Sequence, residues 1–187
     1  NVNNPRHNGF QDFVKMSAPG GYNSTVGLIS LGTIARIVRR FLKMMDINVI
    51  AYDPFTTEEE ARELDLELCS LEEVFERADV VSVHTPDLPA TQGLITGEHL
   101  ASMQTSASII NTARSAVIRH SEMIAVLEQR PYLWVVLEVT EIATEAEHRR
   151  LEVLPNVSLT PHMAGSMGPD FSSIGQFMAD VLKRLIA

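Results

Sequence analysis

Thr25-Val26-Gly27-Leu28-Ile29-Ser30-Leu31-Gly32-Thr33-Ile34-Ala35 is the stretch whose reading decides the fold. Its first five residues are apolar or β-branched, a strand pattern, and a turn of small residues follows. From there the period changes: Ile34, Ile37, Val38, Phe41, Leu42 and Met45 recur at helical spacing. A short strand that passes through a tight turn directly into a helix is the opening unit of a parallel sheet with crossover helices. Arg36, Arg39, Arg40 and Lys43 take the opposite side of this helix and are expected to form a solvated face.

The same alternation repeats downstream. Asn48 to Tyr52 reads as a second strand ending at Asp53-Pro54, and Thr56 or Thr57, with Glu59 or Glu60 three residues on, marks a helix start. Leu66 to Cys69 is a short strand, Ser70 caps a helix over Leu71 to Arg77, and Asp79 to Val83 is an apolar strand ending in His84-Thr85-Pro86. A short helix is predicted near Glu98 to Met103. Ser108-Ile109-Ile110 then leads into Asn111-Thr112-Ala113-Arg114, and Ser121 is the expected cap of a helix running through Glu128. Leu133 to Leu137 ends at Glu138, an acidic stretch covers Glu141 to Glu152, and Val157 to Leu159 runs into Thr160-Pro161-His162. Phe171, Ile174, Met178, Val181, Leu182 and Leu185 stripe a last helix. Near-continuous apolar strands imply helices on both faces, so the expected class is α/β, a doubly wound parallel sheet. Residues 1–23, rich in Asn, Gly and Pro, read as an irregular lead, and 24–187 as one domain.

Composition narrows the partners. The 187 residues carry a formal net charge of −9, which disfavours nucleic acid and anionic membrane as main partners, since both attract cations. No apolar run reaches the ~18 to 20 residues of a membrane span. One cysteine, Cys69, excludes an intramolecular disulfide framework and leaves too few sulfurs for a zinc ribbon, which points to a reducing compartment and the cytoplasm. Cys69, Trp134 and the methionines read as packing residues, and His99, His120 and His148 as surface positions; no metal site is expected.

The polar residues fall at one kind of place. Ser30, Asp53, His84-Thr85, Arg114, Glu138 and His162 each stand at or just past the C-terminal end of a predicted strand. In a parallel sheet those ends share an edge, and ligands of open α/β sheets bind in the crevice outside it. The first turn carries a dinucleotide fingerprint as Ser-x-Gly-x-x-Ala at Ser30, Gly32 and Ala35. Gly32, with Thr33 and Ile34 behind it, would bring helix N–H groups to a pyrophosphate, while Ser30 must make a turn that glycine makes without steric cost. Asp53, 23 positions after Ser30, is spaced to accept hydrogen bonds from a ribose and to repel a 2′-phosphate, favouring NAD over NADP. Arg114 and His162 are the residue types that reduction of a 2-keto acid needs: a planar cation for the carboxylate and carbonyl, and an acid for the developing alkoxide. The structural alternatives are an ordinary strand-to-helix turn, an Asp-Pro turn, a surface arginine and a histidine in a Pro-led turn.

From Thr25 to at least Gly165 the chain resembles the D-isomer-specific 2-hydroxyacid dehydrogenases. The likeness rests on the glycine turn with Asp53, on Ala78 to Pro86, on Ile109 to Arg114 and on Leu154 to Ser166. It implies a Rossmann-like NAD-binding domain, a 2-hydroxy or 2-keto acid substrate and a homodimer formed through this domain. By the same likeness Arg114 matches the substrate-binding arginine and His162 the acid–base histidine. Thr85, Pro86, Thr112 and Ala113 match the nicotinamide side, with His84 beside them, while Glu138 stands where the family has an aspartate contacting the carboxamide, near Gly165. The chain departs from the family at Ser30, at Ser115 for a glycine, and at Ala143, where the family has the glutamate that pairs with the catalytic histidine. It also contains little that matches the family's separate substrate domain. The expected function is the NAD-binding domain of a D-2-hydroxyacid dehydrogenase. The second reading, motivated by Ala143 and Ser30, is an NAD(H)-responsive, corepressor-like binding module with vestigial catalysis.

Overall fold

The computed structural model describes residues 23–138, 144–162 and 165. Strands β1 (Thr25–Ile29), β2 (Asn48–Tyr52), β3 (Glu67–Leu68), β4 (Val80–Val83), β5 (Ser108–Asn111), β6 (Trp134–Leu137) and β7 (Val157–Leu159) form one sheet in the order β3-β2-β1-β4-β5-β6-β7. Every pairing is parallel. The connection from β1 runs to β2 on one side, whereas β4 lies on its other side, so the strand order reverses between β1 and β4. Such a switch point leaves a crevice at the carboxyl edge, because the two flanking connections depart in opposite directions.

The helices are α1 (Thr33–Met44), α2 (Glu58–Glu63), α3 (Leu71–Arg77), α4 (Gly97–Ser102), α5 (His120–Gln129) and α6 (Glu145–Val153). Two of them start where local chemistry requires it. Thr57 accepts from the Glu60 N–H and Ser70 from the Glu73 N–H, and each glutamate returns a bond to the cap residue's N–H, completing two capping boxes.

Strand alternation sorts the core into two layers. Ile29, Ile50, Val81, Val83, Ile109, Val135 and Leu137 project to one face, where Val74 and Phe75 of α3, Leu100 of α4, Met123, Ile124 and Leu127 of α5 and Leu151 of α6 cover them. Gly27 is required on that face: a Cβ there would stand 2.5 Å from Val74 Cγ1, so the missing side chain lets α3 approach β1. Val26, Leu28, Val49 and Ala51 project to the other face, where Ala35 of α1 is buried and Val38 and Leu42 half-buried. Asn156 ties the far end together, its buried amide donating to the carbonyls of Leu127, Arg130 and Leu133.

Several expectations are corrected. The side of α1 that meets the sheet is Ala35-Val38-Arg39-Leu42, so Arg39 is buried at 5% exposure. Ile34, Ile37, Phe41 and Met44, together with Met45, instead face solvent, so these methionines are not packing residues. Helix α5 begins at His120 after Arg119, with no side-chain cap, so Ser121 lies inside it. The Arg119 N–H is held by the Ile95 carbonyl and the Gly97 N–H by Glu122, which fixes the start two residues earlier than a Ser121 cap would. His120 is buried, and burial pushes its pKa below the ordinary histidine value despite the opposing field of Glu147. His99 is also largely inside, its Nδ1 accepting from the Thr96 N–H at 3.0 Å. The acidic stretch forms α6 from Glu145 onward, capped by Thr144. The lead up to Tyr22, the last predicted helix and Ala143 lie outside the described residues.

Candidate functional site

The strand ends stand in a row. Ile29 is in register with both Tyr52 and Val83, Val83 with Asn111, Asn111 with Leu137, and Leu137 with Leu159. Backbone bonds carry that register past the strands: Ser30 N–H donates to Tyr52, His84 to Ile29, Glu138 to Asn111, Thr160 to Leu137 and His162 to Glu138. Six segments distant in sequence are thereby delivered to one edge.

At the switch point the predicted residues are directly linked. Ser30 takes the left-handed region, φ 73°, where a side chain costs about 1 kcal/mol that glycine does not incur. Its hydroxyl lies 3.1 Å from the buried Thr85 hydroxyl, which also reaches the Ile29 carbonyl at 3.4 Å. The Leu31 N–H donates to Asp53 Oδ2 at 2.7 Å, and the Phe55 and Thr56 N–H groups donate to Oδ1 at 2.8 and 2.9 Å. Partial burial pushes the Asp53 pKa up, but these backbone donors together outweigh it and hold the carboxyl below its ordinary value. Asp53 therefore serves as turn cap and as anchored anion at once.

Gly32 precedes α1 with no side-chain cap, and the first turn holds no acidic residue. Gly32, Thr33 and Ile34 are exposed, and a Cβ on Gly32 would meet nothing within 4 Å. An uncapped helix N-terminus open to solvent offers its N–H groups and dipole to an anion. An anionic bridge at the turn and a diol at Asp53 are what the two ends of a dinucleotide's adenylate half present, so the residues fit that ligand.

Past the switch point the site is shaped by Asn111. Its Nδ2 donates to the Arg114 carbonyl and its Oδ1 accepts from the Ala113 N–H, folding Thr112-Ala113-Arg114 into a local turn. Thr112 and Arg114 are exposed, and the Arg114 guanidinium bonds the Ala113 carbonyl at 2.7 Å. Glu138 is buried at 3% exposure. His162 is exposed, its backbone in the left-handed region at φ 45°, and its N–H donates to Glu138 and Thr160. Pro86 and Gly165 are exposed, and the half-buried His84 has its Nε2 3.0 Å from Ser82 Oγ, with burial lowering its pKa. Ser30, Thr85, Asp53 and the Gly32 turn are brought into one bonded group. Arg114 and His162 share the edge, the Arg114 guanidinium being turned to its own neighbour's carbonyl. Sequence reading missed Asn111, whose signal was an Asn closing an apolar strand before small residues. It also missed Arg36, whose Nε donates to the Leu31 carbonyl in the turn.

Among the described residues no group of three or more His, Cys, Asp or Glu is placed to hold a metal, and no helix is long and apolar enough to cross a membrane.

Comparison with known proteins matches this arrangement. The profile of the D-isomer specific 2-hydroxyacid dehydrogenase NAD binding domain matches residues 5–164. The D-3-phosphoglycerate dehydrogenase of Synechocystis sp. is 34% identical over 145 residues, 78% of this chain and 26% of that protein. That of Bacillus subtilis is 31% identical over 145 residues, 78% of this chain and 27% of its own length. The chain thus spans about a quarter of these relatives. Among solved structures, apo D-lactate dehydrogenase from Escherichia coli superposes with a TM-score of 0.75 at 30% identity, covering 88% of this chain and 52% of that one. The NAD-complexed D-isomer specific 2-hydroxyacid dehydrogenase of Lactobacillus delbrueckii ssp. bulgaricus gives 0.73 at 29% identity, covering 88% and 54%.

Proposed function

The chain belongs to the D-isomer-specific 2-hydroxyacid dehydrogenase family, in its NAD-binding domain, and on that premise we propose that residues 24–187 serve a dehydrogenase interconverting a 2-hydroxy acid and its 2-keto acid. The observation that carries this reading is the bonded group of Ser30, Thr85 and Asp53 around the open Gly32 turn, at the point where the strand order reverses. In this reading the N–H groups of Gly32, Thr33 and Ile34 hold the pyrophosphate and Asp53 accepts from the ribose hydroxyls, its charge turning away a 2′-phosphate. His84, Thr85, Pro86, Thr112 and Ala113 line the nicotinamide half, and Glu138 and Gly165 stand by its carboxamide. When bound, NAD supplies the hydride acceptor. Arg114 orients the substrate carboxylate and polarises the carbonyl, and His162 takes the hydroxyl proton during oxidation and returns it during reduction.

The reading includes a homodimer. Ile34, Ile37, Phe41 and Met44 repeat at three- and four-residue steps along α1, and each is at least 42% exposed, the kind of apolar stripe that association buries. It also includes the cytoplasm, in keeping with an acidic chain whose one cysteine is a free thiol, pushed up to about 11 by burial.

The test is calorimetric titration with NADH and NADPH. NADH is expected to bind at least ~10-fold more tightly, a difference of about 1.4 kcal/mol. Asp53→Asn, which keeps one acceptor oxygen and loses the charge, should narrow that preference. Absence of any heat or thermal shift with millimolar NADH would overturn the assignment.

A further inference from the structure

A cavity of about 840 Å³ opens at the amino edge of the sheet, where β1, β2 and β3 begin and α1, α2 and α3 end. Its wall includes Arg39, Lys43, Arg62 and Arg77, against Asp46, Asp65 and Glu67. Three of the four cations have a structural reason to be there. Lys43, Arg62 and Arg77 stand in the last turns of their helices, where a positive charge complements the dipole. Arg77 is also paired with both oxygens of Glu67, at 2.9 and 2.7 Å.

Arg39 is not explained in that way. It lies inside α1 rather than in its last turn, and its side chain is buried at 5% exposure. Nη2 donates to the Asp65 carbonyl and, at 3.2 Å, to Asp65 Oδ2, but Nε and Nη1 have no hydrogen-bond partner among the described residues. Asp65 Oδ2 is shared with Lys43 Nζ at 3.0 Å, so one exposed carboxylate serves two cations. Arg62 donates its Nε to the Glu58 carbonyl and pairs with no carboxylate among the described residues. A buried guanidinium with two unbonded nitrogens carries a desolvation cost that a bound acceptor relieves, and its planar donors suit oxyanions.

We propose that this amino-edge cavity is a second ligand site that takes a small metabolite bearing an oxyanion, phosphate or carboxylate. Arg39 is the buried anchor, and Lys43 and Arg62 complete the positive wall. The volume lies within the range of small-molecule pockets, with room for the body of a metabolite as well as its anionic group. The site stands across the sheet from the Gly32 turn, so it does not share the cofactor's crevice and can be filled together with it.

The experiment uses the 187-residue chain saturated with NADH, with thermal unfolding followed as chloride is replaced by inorganic phosphate, or by succinate, at constant ionic strength. Phosphate, succinate or both should raise Tm by about 3 °C once well above Kd. A response to phosphate alone identifies a phosphate ligand, and an equal response to succinate identifies a general oxyanion site. Arg39→Met should abolish the shift, and Arg62→Gln, an exposed change that leaves the fold intact, should reduce it several-fold if Arg39→Met does not fold. The proposal is overturned if neither anion exceeds chloride, if the shift survives both substitutions, or if it appears only without NADH, which would place the anion at the Gly32 turn.

Discussion

On the face of the sheet that carries α3 to α6, Phe75, Leu100, Met123, Ile124, Leu127 and Leu151 all lie at 1% exposure or less. On the α1 face, by contrast, the cluster of described residues comprises Val26, Leu28, Leu31, Ala35, Val49 and Ala51, and its helix turns Phe41 and Met44 outward at 63% and 80% exposure. Burial of apolar area scales with the free energy it contributes, so the described chain is anchored by one face and presents the other. The difference teaches that the two sides of one helix are built differently: Ala35 and Leu42 hold α1 on the sheet, while Ile34, Ile37, Phe41 and Met44 are left exposed.

The largest effect should come from emptying the deep face. Phe75→Ala removes a wholly buried ring and is expected to cost about 3 to 5 kcal/mol. The half-buried Leu42, truncated to Ala on the α1 face, should cost about half of that or less, since its site is already in contact with solvent. Urea denaturation of the two variants measures the gap directly. Equal losses would mean that the α1 face is as deeply built as the other.

Parts of this arrangement were legible in the sequence because they are local. The β1 and β2 limits follow from β-branched runs, and the helix starts at Thr57 and Ser70 from Thr or Ser with Glu three residues later, a motif that needs no tertiary partner. The convergence of Ser30, Asp53, His84, Glu138 and His162 on one edge followed from parallel strands alone. The rotation of α1 was not legible. Apolar residues occupy more than half its circumference, and the choice of inner side is made by the sheet: Ala35 is small enough for close approach, and the side that contains it carries Arg39 inward. The burial of His120 was hidden for a related reason, since it depends on which side of α5 packs inward, and the charged residues beside it in sequence do not reveal that. At the site, the turn formed by Asn111 was invisible until both of its side-chain bonds were in place.

The exposed side of α1 should answer to a smaller but more selective change. Phe41→Ser leaves the described core untouched, because the ring is 63% exposed, so folding stability should move by no more than about 0.5 kcal/mol. If this stripe is the homodimer surface, the same substitution should raise the dimer dissociation constant by about 10-fold or more, the effect of losing roughly 1.4 kcal/mol of apolar contact. Sedimentation over a concentration series separates the two quantities. A Phe41→Ser chain with unchanged association and lowered stability would reverse the roles assigned to the two sides of the helix.

The smallest effect is a dependence on pH that the deep face should confer through His120. Burial lowers the pKa of this imidazole in the folded chain, with Glu147 opposing, so the unfolded chain takes up a proton first as pH falls. The sign follows: the contribution is fully present above the ordinary histidine value of 6.5 and is lost as pH drops from there toward the folded pKa. His84, at the crevice, acts in the same direction, also through burial. Asp53 loses its contribution only at more acidic pH, below the ordinary aspartate value of 3.8, so measurements kept above pH ~5 isolate the histidines. Urea midpoints of the wild-type chain should therefore decline between pH 8 and pH 5.5, and His120→Gln should flatten part of that decline while the His84 share persists. A decline that His120→Gln leaves unaltered would assign the whole dependence to the crevice and remove the deep face from it.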